Sequence, residues 1–210
     1  TVHYSFDDAK YLKKVLNTEE DASWICLSNP IAEDLAVMRP SLLPGLLSAY
    51  QKNQVHSETG LRLFELRRVY SRDARGQINE VTRLGFLLSG NILGRNPFGL
   101  SRKADFFDAK GLTQNILRLS RLSCESRPVT NWPYHPTQTM GFFCGDQALA
   151  CVGALHPQLL QLLKIKERLY YADFAFDTLF AQTVQKNPHY QAVSALPPVY
   201  RDMALVVAQS

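Results

Sequence analysis

The sequence predicts an α+β domain with a mainly antiparallel sheet flanked by helices. Strand-like and helix-like segments mix without the regular alternation of a parallel βαβ fold. A turn signal at Gly145-Asp146 joins two apolar strands as a hairpin. The chain, 210 residues with 46% hydrophobic and 20% charged, is long and apolar enough to bury one sizeable core.

Val2-His3-Tyr4-Ser5-Phe6 has strand character, Asp8 to Leu16 reads as a short helix, and Ser23 to Leu27 as a strand. Ser41 then stands where an N-cap belongs, and Pro44 falls in the first turn, where its missing N–H is harmless. Leu42, Leu43, Leu46, Leu47 and Tyr50 share one arc of that helix, which must be buried. Gly45, Ser48, Ala49 and Lys52 form a small-residue strip on the opposite arc, where another helix could come close.

Leu61 to Tyr70 carries apolar groups on both faces, as a strand well inside a sheet would. Arg72 to Gly76 is a turn, Leu84 to Ser89 continues the sheet, and Gly90 to Lys103, with Gly94, Asn96, Pro97 and Gly99, is a loop. A helix is expected from Asp108 to Leu122, with Leu112, Ile116, Leu117 and Leu119 as its apolar face. Strands follow at Pro128 to Trp132, Thr139 to Cys144 and Leu149 to Leu155. His156-Pro157 opens a leucine-rich helix, before a strand at Leu169 to Phe174 and a helix at Asp177 to Gln182.

Residues 1–194 form the main module, and 195–210 a linker, Ala195-Leu196-Pro197-Pro198, with the first strand of something further. A start at Thr1 and a strand pattern that stops at the last residues together predict a piece cut from a longer chain. The net charge of +4 comes from 23 basic residues scattered among 19 acidic ones, so RNA binding is permitted but not demanded. Cys26, Cys124, Cys144 and Cys151 lack zinc-site spacing and read as reduced thiols, with a Cys144–Cys151 cross-strand disulfide as the other reading. Neither a signal peptide nor a membrane-length apolar stretch is present, which predicts a cytoplasmic protein with no membrane partner.

Five segments in order carry a family resemblance. The first is Asn29-Pro30 through Arg39-Pro40 and Ser-Leu-Leu-Pro-Gly-Leu-Leu-Ser-Ala-Tyr50, followed by Leu-Arg-Leu-Phe64-Glu65-Leu-Arg-Arg-Val-Tyr-Ser-Arg-Asp73. The others are Asp105-Phe106-Phe107-Asp108-Ala109-Lys110-Gly111, His135-Pro136, Gly153-Ala154-Leu155-His156-Pro157 and Tyr200-Arg201-Asp202. Together they resemble the β subunit of bacterial phenylalanyl-tRNA synthetase, running into the start of its anticodon-binding domain. The resemblance implies a class II aminoacyl-tRNA synthetase-like domain that has lost catalysis.

It further implies that this module assembles with the catalytic α subunit, and that tRNA(Phe) is a partner of the whole enzyme. ATP and magnesium are then used by the whole enzyme, and this part holds no cofactor. Gly45, Ser48, Ala49 and Lys52 become the expected contact with the α subunit.

The residues themselves support the loss of catalysis. A class II site needs permanently charged arginines against the nucleotide phosphates, and the Cys151 to Pro157 strand-to-helix junction has none. Arg62, Arg67 and Arg68 are the remaining candidates for a phosphate contact, with ion pairing or solvation as the ordinary alternative. His135 and His156 precede prolines and read as structural, while Asp105, Asp108 and Asp173 are too separated for a magnesium site. Asp105 and Asp108 suit a helix N-terminus. Two other functions compete: a stand-alone class II-like ligase that activates a small carboxylic acid with ATP, and an RNA-binding module.

Overall fold

The computed structural model describes residues 3–18, 22–54, 60–92, 101–184, 196, 199–204 and 206. Its first half runs through β1 (Phe6–Asp7), α1 (Ala9–Leu16), β2 (Val37–Met38), α2 (Leu43–Asn53), β3 (Arg62–Arg72) and β4 (Ile78–Leu88). The second half holds α3 (Phe106–Leu119), β5 (Glu125–Pro128), β6 (Tyr134–Cys144), β7 (Gln147–Leu155), α4 (Pro157–Leu162), β8 (Tyr170–Ala175) and α5 (Phe176–Val184). Six strands form one sheet in the order β3-β4-β8-β7-β6-β5, and every pairing is antiparallel. The predicted α+β class is the one observed.

Alternation along the strands gives the sheet two buried faces. Val69, Leu87, Leu155 and Tyr171 point to the side where the leucines of α2 join Val15 and Leu159. Phe86, Leu88, Val152, Ala172 and Phe174 point to the other side, against Ala109 and Leu117 of α3 and Leu179 of α5. Gly85 lets α2 sit close on the first face, since a Cβ there would lie 3.2 Å from Leu46 Cδ1.

Local chemistry sets the helix ends. Asp8 Oδ1 accepts the Lys10 N–H at 2.9 Å, and Asn17 closes α1 in the left-handed conformation. At α2 the cap differs from expectation. Leu42, without a side-chain acceptor, occupies the N-cap, and Ser41 Oγ accepts the Leu43 N–H from one position earlier. Asp105 caps α3 and forms a capping box with Asp108, so that helix starts two residues before Asp108 and ends at Leu119. Its buried residues are Ala109, Thr113 and Leu117, whereas Leu112 and Leu119 are exposed.

Three strand expectations within the main sheet are corrected. β3 is the sheet's edge, and its two-sided apolar pattern reflects an exposed face, with Phe64 65% and Leu66 43% accessible. β4 begins at Ile78 because Arg72↔Ile78 through Arg62↔Leu88 pair residue for residue, and its polar first half concealed the strand. The segment expected as a strand at Pro128 to Trp132 instead ends one, since β5 covers Glu125–Pro128 on the opposite edge.

Ser23 to Leu27 contributes one isolated bridge, Cys26↔Val37, and no named strand. Residues 201–204 and 206 form no strand, and Met203 and Val206 are exposed. Val2, most of the loop at 93–100, Ala195, Pro197, Pro198, Leu205 and Val207 lie outside the described residues.

Candidate functional site

The face of the sheet beneath α1 and α2 holds a concavity of about 390 Å³. Sheet register builds it, because Glu65, Gly85, Asp173, Cys151, Gly141 and Arg127 form one row across all six strands. The middle of that row lines the concavity, with Arg83 beside it and Leu16, Leu43, Trp132 and Phe143 as apolar walls. Arg83 Nε donates to Asp173 Oδ1 at 3.1 Å and Nη2 donates to Oδ2, a bidentate pair. Tyr134 and Tyr171 stack with ring centroids 5.9 Å apart.

These groups are poorly suited to group transfer. Burial pushes the Cys151 thiol up to about 11 and raises both tyrosine hydroxyls well above their ordinary value, so the thiolate and phenolates are suppressed. Among the described residues the buried Tyr171 hydroxyl has no hydrogen-bond partner, with Ser41 nearby but outside hydrogen-bond geometry. Arg83 is the cation lining the concavity, and Asp173 already occupies its fork. Among the described residues no histidine lines it. A triphosphate with magnesium does not fit this set, which among the described residues offers one committed cation and no carboxylate cluster. Among the described residues no group of three or more His, Cys, Asp or Glu could hold a metal ion.

The expected phosphate candidates lie elsewhere. Arg62 donates to the carbonyls of Asn91 and Ile92, Arg68 pairs with Glu80 at 2.5 Å, and Arg67 is exposed on the β3 edge. Arg83 is the residue sequence reading missed. The signal is a period of two, since Arg83, Gly85 and Leu87 share a face, but Arg83 lies just before the Leu84 to Ser89 segment in which the apolar run is visible.

Both histidines of the two His-Pro segments make local hydrogen bonds. His156 caps α4 by accepting the Gln158 N–H at Nδ1, 3.2 Å away, and its ring packs 5.1 Å from that of Trp132. His135 accepts the Thr137 N–H at Nδ1 and the Thr139 hydroxyl at its carbonyl. Pro157 takes the first turn of α4, and Pro136 is exposed. Gly153 is required sterically, because a Cβ there would meet Gln138 O at 2.6 Å.

Asp108 is held at about 2, first by its hydrogen bonds from Arg102. Phe106 packs against the α3 core, and Lys110 is half-buried. Nothing in the structure explains a glycine at 111, where a Cβ would meet nothing. Asn29, Pro30, Arg201 and Asp202 are exposed.

Arg39 and Glu65, 26 residues apart within the first motif segment, meet as a buried ion pair 3.0 Å apart. Glu65 is 2% and Arg39 3% exposed. Glu65 Oε2 also contacts His3 Nδ1 at 2.6 Å, which ties the N-terminal segment across α2. That segment meets the small-residue strip. A Cβ on Gly45 would lie 3.1 Å from the His3 ring, while Gly45, Ser48 and Lys52 line a surface concavity with Tyr4 and Tyr11. The expectation that Ala49 belongs to this open arc is corrected, since it is 7% exposed and turned toward the core.

All four cysteines are free, and Cys144 and Cys151 face Gln147 and Gly141 rather than each other. No described helix is long and apolar enough to cross a membrane.

Residues 1–176 match the family model for the phenylalanyl tRNA synthetase beta chain CLM domain. The chain is 34% identical over 215 residues to the phenylalanine–tRNA ligase beta subunit of Geobacter sulfurreducens, covering 99% of this chain and 26% of that relative. It is 32% identical over 206 residues to the same subunit of Hahella chejuensis, covering 98% of this chain and 25% of that one. The chain thus spans about a quarter of the length of these relatives. A solved pyrrolysyl tRNA synthetase from Desulfitobacterium hafniense has the same fold, with TM-score 0.66 and 17% identity over 86% of this chain and 60% of that one.

Proposed function

Because the chain belongs to the phenylalanyl-tRNA synthetase β-chain family, we propose that it is the synthetase-like but non-catalytic module of a phenylalanine–tRNA ligase β subunit. In this reading it assembles with the catalytic α subunit in the cytoplasm, and the whole enzyme charges tRNA(Phe) with phenylalanine. ATP and magnesium are used on the α subunit. Gly45, Ser48 and Lys52, with exposed Tyr4 beside them, belong to the subunit contact, and Ala49 supports it from within.

The observation that carries the non-catalytic reading is the concavity over the sheet, whose arginine is already bound to Asp173. A transition-state clamp needs donors free to meet developing phosphate charge. The stand-alone ligase reading is therefore disfavoured. Two measurements test the proposal. The purified chain should give no phenylalanine-dependent ATP–pyrophosphate exchange, and exchange surviving repurification would sink the non-catalytic role. A β chain containing this module should copurify with its α subunit, and failure to do so would sink the assembly role.

A further inference from the structure

On the side of the molecule beyond α4, two adjoining concavities of about 470 and 480 Å³ share Gly90, Lys103, Lys166 and Glu167 and together make a groove. Lys164, Lys166 and Arg168 are exposed, while Leu163, Ile165 and Leu169 between and beside them are buried. That alternation turns three cations outward from one short segment. Lys103 joins them from the Asn91↔Lys103 bridge.

The charge here is unbalanced. Arg39, Arg68, Arg83 and Arg102 each have a carboxylate within ion-pair distance, whereas none of these four cations has one among the described residues. The groove's two acids are outnumbered two to one by these cations, and neither forms an ion pair with them. Glu167 accepts from Tyr50 Oη at 3.0 Å, and Asp105 sits in the α3 capping box, 3.4 Å from Arg102. Four like charges around one depression repel one another unless a dense anion joins them. Three of the four are lysines, mobile point charges suited to phosphate oxygens rather than to reading base edges. An acidic peptide would need apolar anchor pockets as well. The groove's lining is mostly polar or glycine, and its two aromatic residues, Tyr50 and Tyr170, are buried rather than open as anchor pockets.

We infer that this groove takes consecutive phosphates of an RNA backbone, and so positions the RNA without reading its sequence. The inference rests on the tRNA-charging reading above for the identity of its partner. The test is binding of the protein to bulk transfer RNA, followed by anisotropy across a salt series. The variant is Lys103→Gln/Lys164→Gln/Lys166→Gln/Arg168→Gln, whose four sites are exposed and whose Tm should match wild type.

Each lost phosphate contact removes about 0.7–0.9 from the slope of log affinity against log salt, so the slope should flatten by about 3 and affinity at low salt fall at least about tenfold. The control Lys10→Gln/Lys14→Gln/Arg72→Gln/Arg75→Gln changes the net charge equally at exposed sites elsewhere and should keep the wild-type slope.

An unchanged slope in the groove variant, an equal loss in the control, binding of polyglutamate as tight as RNA, or no RNA binding by wild type would each overturn the inference. The groove variant should still capture the α subunit, and loss of that capture with RNA binding intact would reassign the groove to a protein contact. Failure of wild type to capture the α subunit would sink the assembly reading instead, and leave the salt-slope result decisive for the groove.

Discussion

Replacing Glu65 with glutamine should destabilise the protein more than any other single polar change at the β3 edge. The carboxylate accepts from Arg39 Nη1 at 3.0 Å and from the His3 backbone N–H at 3.3 Å, and contacts His3 Nδ1 at 2.6 Å. Arg39 in turn donates through Nε to Arg68 O at 2.8 Å and through Nη1 to Tyr4 O at 3.4 Å. Glutamine keeps an acceptor but leaves a guanidinium that is 3% exposed without its counter-charge.

Breaking one side of a buried pair costs about 3–5 kcal/mol, and the retained hydrogen bonds favour the lower end. For a chain of this size about 3 kcal/mol lowers Tm by roughly 6–12 °C. Urea unfolding measures Glu65→Gln directly, and Glu65→Leu, Arg39→Met and the double variant Arg39→Met/Glu65→Leu form a cycle. The double variant should recover much of the loss, because apolar replacement of both partners removes the stranded charge.

Burial alone pushes the Glu65 carboxyl up, but His3 and Arg39 outweigh it and hold it below its ordinary 4.5. A depressed folded value means stabilisation present above pH 4.5 and lost as pH falls through the folded value, so wild type and Glu65→Gln should converge on acidification. A loss below about 1 kcal/mol in Glu65→Gln, or strict additivity in the double variant, would refute the reasoning.

Asp7 behaves oppositely. Burial raises its carboxyl from 3.8 to about 6, so protonation stabilises the fold fully below pH 3.8 and that stabilisation is lost as pH rises through 6. Asp7→Asn should therefore raise Tm at pH 8, by up to about 3 kcal/mol of stability, and change nothing at pH 4; a loss at pH 8 contradicts it. Ala49→Gln, which an open helix face would tolerate, should cost about 1–3 kcal/mol by overpacking. Calorimetry on the purified protein decides, and unchanged stability would return Ala49 to the free surface.

How far residues alone reach is visible at particular places. Helix α2 was legible in its leucine spacing, because a period of 3.6 declares which arc is apolar whatever it packs against. Asp105 and Asp108 at the start of α3 and the first-turn Pro157 were legible for the same local reason, since their partners lie within three residues. The edge position of β3 was not, because hydropathy reports how apolar a strand is and not which strands flank it. Residue-by-residue pairing with β4 restored the polar half that composition had hidden.

By itself, then, the sequence determined the α+β class, the family and the absence of arginines at the β7–α4 junction. Those are statements about residue type and local spacing. Only the tertiary structure decided that Arg83 meets Asp173 across 90 residues, that His3 and Arg39 converge on Glu65, and that the N-terminal segment covers part of the α2 strip. Each depends on sheet register and chain crossing, which bring distant residues together and leave no periodic trace along the chain.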